Sequence, residues 1–210
     1  IQLETEVPVK PFYQDEQVTL YQTKAECVLP YLKCDVLLTD PPYGLDMANR
    51  PTKWQRLAGR QTSDWDDLPI PHWLLQQAIG ATQTAIVWGG NYYELSPSRC
   101  WLSWCKPDSP PSMGNVEYAW TNIDSPSRHF LYATQSMYTE RVGHPTQKPL
   151  ALMRWCLSFV KASQSVLDPF AGSGTSLVAA KLEGKTAIGI EQSEAYCQLA
   201  VKRLRQEMLF

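Results

Sequence analysis

The sequence lacks the features of membrane and secreted proteins. No apolar run in its 210 residues approaches the roughly 20 that a membrane helix needs, and residues 1–17 are too polar to form a signal peptide. The formal net charge of −2 provides no general basic surface, so any basic surface for nucleic acid must be local. We therefore expect a cytoplasmic protein that has no membrane partner.

Residues that bind metals or form disulfides are few and badly spaced. Six cysteines occur, mostly inside apolar runs, and no two of them form a C-x-x-C pair. The three histidines lie far apart along the chain. This pattern favours reduced thiols in the core of a cytosolic protein over disulfides, and it predicts no metal site.

One stretch near the C-terminus has the pattern of a strand, a glycine turn, a helix and a second strand. An apolar run over 166–168 precedes Gly172 and Gly174, a helical pattern follows over 176–182, and a second apolar run spans 186–191. This order predicts one βαβ unit of a parallel sheet. The two glycines let a ligand approach the backbone closely, because they carry no Cβ.

The acids that end these two predicted strands indicate a nucleotide-like ligand. Glu191 follows Gly172 by about twenty residues, where a nucleotide-binding βαβ unit places the acid that contacts ribose. Leu177 stands where a dinucleotide fingerprint has its third glycine, and no P-loop lysine follows. A ligand with adenosine but no pyrophosphate fits better, and S-adenosylmethionine is the one we predict. The alternative is a glycine turn in an ordinary α/β protein, which the pairing of Asp168 with Glu191 disfavours.

A second motif, Asp40-Pro41-Pro42-Tyr43-Gly44, follows a predicted buried strand at 35–39. The prolines cannot donate hydrogen bonds and stiffen the chain, so the carbonyls of Asp40 and Pro41 can point outward as acceptors. Such a turn suits a planar ring that carries an exocyclic amine and stacks on Tyr43. Taken alone, the motif fits a rigid turn with a surface tyrosine equally well.

A segment without clear periodicity, residues 45–67, follows this turn. Four basic residues and an interleaved tryptophan predict contacts with nucleic-acid phosphates. The basic residues are Arg50, Lys53, Arg56 and Arg60. The alternative is a solvated mobile loop, since loops of this length are often mobile.

The remaining pattern predicts a single α/β domain over 18–210, preceded by an arm at 1–17. Further strands are expected at 84–88, 100–105, 116–120 and 129–133, and helices at 23–32, 72–82, 150–160 and after Ser193. Seven strands with crossover helices indicate a mostly parallel, doubly wound sheet.

Three segments together resemble the marks of one family. They are 39–44 (TDPPYG), 144–149 (HPTQKP) and 168–174 (DPFAGSG). The chain resembles, over about 18–205, the S-adenosylmethionine-dependent DNA amino-methyltransferases of the permuted β group, in which the catalytic turn precedes the cofactor motif. The resemblance implies a seven-stranded Rossmann-like fold, DNA as partner, and S-adenosylhomocysteine as the product left by the cofactor.

The resemblance also implies roles for individual residues. The catalytic turn would be Asp40, Pro41, Pro42 and Tyr43. The cofactor would be contacted by Asp168, Phe170, Gly172, Gly174, Thr175 and Glu191, with Thr146, Gln147 and Lys148 at its methionine end. An acidic first residue in the turn is similar to adenine-N6 enzymes more often than to cytosine-N4 enzymes, which tend to carry serine.

The chain departs from the family between 106 and 143, where no separate target-recognition domain fits. We therefore expect a short or relaxed sequence requirement, and the compact form resembles phage- and prophage-encoded DNA methyltransferases. Three alternatives stay open: a cytosine-N4 enzyme, a methyltransferase for RNA or protein glutamine, and a non-catalytic nucleic-acid-binding partner subunit. The sequence leaves open whether the protein is a monomer or a homodimer.

Overall fold

The computed structural model describes residues 7–44, 69–110, 114–137 and 147–206, together with the backbone of 2–3. Within these ranges one sheet contains the strands β1 (Gln2–Leu3), β2 (Tyr13–Gln14), β3 (Val18–Gln22), β4 (Leu32–Thr39), β5 (Thr82–Trp88), β6 (Trp101–Cys105), β7 (Val116–Thr121), β8 (Arg128–Leu131), β9 (Ser165–Asp168) and β10 (Thr186–Glu191). The helices in these ranges are α1 (His72–Gly80), α2 (Leu150–Leu157), α3 (Thr175–Leu182) and α4 (Glu194–Gln206).

The strands lie in the order β2-β3-β10-β9-β4-β5-β7-β6-β8, and β1 pairs with the start of β4. The central strands β3, β10, β9, β4 and β5 are parallel to one another, whereas β7 runs antiparallel between β5 and β6. The carboxyl ends of β4, β9 and β10 therefore meet at one edge of the sheet. The catalytic turn and the cofactor motif, far apart in sequence, follow neighbouring strands.

Helices cover both faces of the sheet. On one face α2, α3 and α4 pack against a core that includes Leu38, Val166 and Leu177, all of them fully buried. On the other face α1 packs against Leu37 and Leu167 together with two 3-10 turns. Because both faces are covered, β4 and β5 contain continuous buried apolar runs, at 36–38 and 85–88, rather than alternating residues. The predicted mostly parallel, doubly wound sheet is confirmed.

The structure differs from the sequence-based expectation in two places. The predicted helix at 23–32 is wrong: two 3-10 turns, Ala25–Cys27 and Leu29–Tyr31, replace it, because Pro30 has no N–H to continue an α-helical ladder. All seven predicted strands are present as β4 to β10, and β1, β2 and β3 join them. Two of these three short strands come from the expected arm at 1–17.

Candidate functional site

A direct hydrogen bond joins the end of β4 to the end of β9. The Thr39 hydroxyl donates to Asp168 Oδ1 at 2.8 Å, and the Phe170 backbone N–H donates to the same oxygen at 3.1 Å. The Ser176 hydroxyl donates to Asp168 Oδ2. Burial raises the pKa of Asp168 to about 6, and these hydrogen bonds oppose that rise. Asp168 therefore links the end of β4, which precedes the predicted catalytic turn, to the loop between β9 and α3.

The glycine loop that follows needs a left-handed backbone. Gly172 and Gly174 have φ values of 51° and 76°, which favour glycine. A Cβ on Gly174 would also lie 2.8 Å from the Cβ of Ala200 in α4. Arg203 of α4 is buried beneath the loop and donates from Nη1 to the Ser173 carbonyl at 2.9 Å and to Thr175 Oγ1 at 2.8 Å. The hydroxyl of Thr175, which was predicted to contact the cofactor, thus accepts a hydrogen bond from Arg203.

Glu191 closes this loop against the end of β10. Its Oε2 accepts from the Gly172 N–H at 2.9 Å, and its Oε1 accepts from the Ser193 N–H at 2.7 Å. Burial raises the pKa of Glu191, and the backbone donors oppose the rise. Each carboxylate oxygen has two lone pairs, so these bonds leave acceptor capacity for a ligand hydroxyl.

The groups gathered at this edge fit an adenosyl ligand. Glu191 would provide a carboxylate for ribose hydroxyls, and the ring of Phe170, in the same loop region, is only half-buried. Gly172 and Gly174 carry no Cβ, so that a ligand could approach the backbone closely at these two positions. Phe170, Gly172, Gly174 and Glu191 are the residues that would hold the cofactor.

The catalytic turn places Asp40 between two donors. The Tyr43 hydroxyl donates to Asp40 Oδ1, and Lys148 Nζ lies 2.6 Å from Asp40 Oδ2. Burial raises the pKa of Asp40, whereas Lys148 and Tyr43 lower it. The Tyr93 hydroxyl donates to the carbonyl of Pro42 and so holds the second half of the turn. Pro41 is buried and anchors the turn between these contacts.

The ring of Tyr43 is packed by residues that follow β5. It stacks on the ring of Tyr92, with centroids 5.0 Å apart and planes 23° apart. Gly89, at φ 67°, lies so close that a Cβ there would come within 1.9 Å of Tyr43 Cε1. Sequence reasoning missed Gly89, Tyr92 and Tyr93. The signal was available, because a Gly-Gly pair after a buried parallel strand marks the same edge of the sheet.

The ammonium of Lys148 contacts the predicted catalytic turn. This ammonium contacts Asp40 and also lies 3.2 Å from Glu117 Oε2 on β7. Lys106 Nζ contacts the other oxygen of Glu117 at 2.5 Å. No sequence signal distinguishes Glu117, which stands in an ordinary strand. Gln147, predicted beside Lys148, is buried.

Several predicted residues lie outside the described ranges. They are Arg50, Lys53, Arg56, Arg60 and Thr146. Among the residues that the structure does describe, no group of three His, Cys, Asp or Glu side chains could hold a metal ion. No helix in the described part of the chain is long and apolar enough to cross a membrane.

Comparisons with known proteins point to one family. A family model for N6/N4 DNA methylases matches residues 96–202. The type II methyltransferase M2.LlaDCHI of Lactococcus lactis subsp. cremoris is 25% identical over 94% of this chain and 93% of its own length. M2.MboI of Moraxella bovis is 24% identical over 94% of this chain and 92% of its own.

Solved structures share the fold. The M1.HpyAVI complex with S-adenosylmethionine superimposes with a TM-score of 0.59 at 22% identity, over 89% of this chain and 98% of that one. PvuII DNA methyltransferase, described as cytosine-N4-specific, gives a TM-score of 0.64 at 16% identity, over 94% and 90%. Because the family model spans just over half of the sequence, the chain belongs to the N6/N4 DNA methylase family and uses S-adenosylmethionine as its cofactor.

Proposed function

We propose that this protein methylates the N6 amine of adenine in DNA by direct transfer to a base that has left the helix stack. The observation that carries the proposal is the Asp40 carboxylate at the start of the turn, held within hydrogen-bond reach of Tyr43 and Lys148. A carboxylate is an acceptor of amine hydrogens, and Tyr43 offers a ring face beside it. The product of each turnover is N6-methyladenine in DNA and S-adenosylhomocysteine.

Asp40 orients the amine and stabilises the charge that the reaction creates. Its carboxylate and the Pro41 carbonyl accept hydrogen bonds from N6, which turns the nitrogen lone pair toward the methyl donor. As the N–C bond forms and the methyl group's bond to the donor sulfur breaks, positive charge develops on nitrogen, and a fixed carboxylate at that point would lower the barrier. The methylated amine then loses its extra proton to solvent, which leaves neutral N6-methyladenine. S-adenosylmethionine, when bound, supplies an activated methyl group. Phe170, Gly172 and Glu191 hold its adenosine, so that donor and acceptor meet in line.

In this proposal the target base stacks on the ring of Tyr43. An aromatic ring stacks on the base of any sequence, and its geometry here is set by the contacts with Gly89 and Tyr92. The hydroxyl of Tyr43 has a separate task, because it donates to Asp40 Oδ1 and so orients the carboxylate. Loss of that hydroxyl should reduce the rate while stacking is retained.

Adenine is favoured over cytosine by the acidic residue at position 40. The resemblance to adenine-N6 enzymes rests on that residue, while the likeness to a cytosine-N4-specific structure concerns the fold alone. Cytosine-N4 methylation on the same scaffold is the second candidate. The two differ in product, since one yields N6-methyladenine and the other N4-methylcytosine.

A short or relaxed sequence requirement is the second part of the proposal. The described residues between Lys106 and Met137 form β7, β8 and their connections, and none of them builds a separate domain. Base-edge readout in a groove needs an element that carries several side chains into it. Arg50, Lys53, Arg56 and Arg60 suit phosphates, which carry affinity without sequence information. The setting would be the cytoplasm of a bacterium or of a phage-infected cell.

Incubation with labelled S-adenosylmethionine and unmethylated plasmid DNA tests the proposal. We expect N6-methyladenine by nucleoside mass spectrometry, and no transfer by Asp40→Ala despite nearly unchanged cofactor affinity. N4-methylcytosine instead would favour the second candidate. Label on RNA or protein, or no label at all, would reject DNA methylation. Sequencing of the plasmid tests specificity: modification confined to one motif of about four or more base pairs would contradict a relaxed requirement, because such a site needs direct contacts.

A further inference from the structure

A chain of alternating charges runs from the catalytic turn to strand β7. Lys148 Nζ lies 2.6 Å from Asp40 Oδ2 and 3.2 Å from Glu117 Oε2, and Lys106 Nζ lies 2.5 Å from Glu117 Oε1. The Lys148 side chain is only 5% exposed, whereas that of Glu117 is 33% exposed. Two ammonium groups therefore face two carboxylates, and Glu117 bonds each lysine through a different oxygen.

This arrangement creates a conflict at Asp40. The carboxylate that would receive the target amine is already paired with the Lys148 ammonium. A cation that stayed there would cancel the negative charge needed to stabilise the methylated nitrogen. A cation that left Asp40 without a new partner would be buried and unpaired, which is strongly unfavourable. The site therefore needs a second acid within reach of Lys148.

We propose that Glu117 is a positioning residue for methyl transfer, which holds the Lys148 ammonium when the target amine takes the place of that ammonium on Asp40. This inference rests on the function proposed above. Lys148 already lies within 3.2 Å of Glu117, so the exchange needs only a small movement of one flexible side chain. Lys106 on the far oxygen holds Glu117 in place while Lys148 moves.

The charges around the site support the exchange. The groups that bear on Asp40 are Lys148, Tyr43, Glu117 with Lys106 behind it, Asp168 at the end of β9, and Tyr93 on the carbonyl of Pro42. Burial raises the pKa of Asp40 and Glu117 raises it further, while Lys148 and Tyr43 lower it. Burial would lower the pKa of Lys148, but Asp40 and Glu117 together raise it, so Lys148 is a charged ammonium in this arrangement.

The pH dependence of kcat/KM for DNA methylation tests the role of Glu117. Its acid limb reports the pKa of an essential base in the enzyme before DNA binds, here Asp40. Glu117→Gln removes a negative charge near Asp40, so the limb should move to lower pH, while the plateau should fall by about 100-fold, as it does for a misplacement of about 1 Å at a reacting site. Lys148→Met removes a positive charge, so its limb should move to higher pH. Opposite shifts from two neighbouring residues are not produced by a general loss of folded protein.

Two further variants complete the experiment. Glu117→Asp keeps the charge and should recover part of the plateau. Glu183→Gln, which breaks a surface ion pair with Arg154, should leave the profile unchanged. Cofactor affinity by calorimetry should be the same in Glu117→Gln as in the wild type.

The result that would overturn the proposal is a wild-type acid limb in Glu117→Gln, whether or not the plateau falls. Titration of the Asp40 carboxyl by 13C NMR, assigned with Asp40→Asn, gives the same shift without any assay of activity. Wild-type protein that transfers no methyl group to DNA would reject the proposed function and this inference together. Wild-type transfer with an unmoved limb in the variant would reject only the role of Glu117.

Discussion

The backbone of Gly89 lies against the ring of Tyr43. A Cβ at position 89 would come within 1.9 Å of Tyr43 Cε1 and within 2.3 Å and 2.5 Å of the two flanking ring carbons. Real Cβ atoms do not approach other heavy atoms this closely, so the ring could keep its place only with glycine at this position. Gly89, the residue after β5, thus determines the position of the Tyr43 ring in the catalytic turn.

Gly89→Ala is therefore expected to abolish most methyl transfer by displacing Tyr43. A misplacement of about 1 Å at a reacting site can reduce the rate about 100-fold. Gly184→Ala is the matched control, because Gly184 has nearly the same φ (68° against 67°) and nothing within 4 Å of a Cβ. Both variants carry the left-handed strain of about 1–2 kcal/mol, measurable by chemical denaturation. Equal transfer rates in the two variants would show that the ring contact does not matter.

Glu191→Gln is expected to weaken binding of S-adenosylmethionine by about 1–3 kcal/mol, since hydroxyls lose a charged partner. An amide also has only one oxygen, so the N–H of either Gly172 or Ser193 loses its acceptor. Isothermal calorimetry with the purified protein measures the change. Glu194→Gln serves as the control, because Glu194 is exposed and accepts from Gln198 within its own helix. Undiminished affinity in Glu191→Gln would remove Glu191 from the cofactor site.

Arg203→Met is expected to lower the free energy of unfolding and to weaken cofactor binding, because Arg203 supports the glycine loop. The buried guanidinium satisfies the Ser173 carbonyl and the hydroxyls of Ser173 and Thr175. Without it, a buried carbonyl lacks a donor, which costs about 1–3 kcal/mol, and the loop should hold the cofactor less tightly. Arg205→Met is the control on the same helix, since Arg205 is exposed and faces the ring of Tyr13 at 5.7 Å. Denaturation curves and calorimetry that do not separate the two variants would contradict this role.

The sequence predicted that three acids would meet at one edge of the sheet, for a physical reason. Asp40, Asp168 and Glu191 each end an apolar run, and parallel strands bring their carboxyl ends to one edge. The helix at 23–32 was predicted wrongly because capping-box spacing outweighed Pro30. Strand β3 was missed because it is short and its partner, β10, is distant in sequence.

Contacts between distant side chains could not be predicted in this way. Thr39 and Asp168 are 129 residues apart, and Lys148 and Asp40 are 108 residues apart. Motif spacing gives the strand that a residue follows, but it does not give the direction of a lysine side chain. The motif predicts Lys148 at the methionine end of the cofactor, which stays a prediction, but it could not show that the Lys148 ammonium contacts Asp40. Glu117 could be found only once β7 was known to lie beside β5.

Asp168→Asn is expected to change the pH dependence of stability. Its free energy of unfolding, relative to that of the wild type, should increase as the pH rises from about 4 to about 6. Burial raises the pKa of Asp168 from 3.8 to about 6, so the folded state holds more protons than the unfolded state in this window. Wild-type stability from this group is complete below pH 4 and is lost as the pH passes 6. Two pKa units correspond to about 3 kcal/mol.

Asparagine can accept from Thr39 and donate to Ser176, so the fold of Asp168→Asn should persist. Asp35→Asn is the control, because backbone N–H groups of Gln164 and Ser165 lower the pKa of Asp35, so its titration lies below pH 4 and its difference from the wild type should stay nearly constant from pH 4 to pH 8. Urea denaturation from pH 4 to pH 8 measures both differences, and a pH-independent difference for Asp168→Asn would mean that this carboxyl titrates normally.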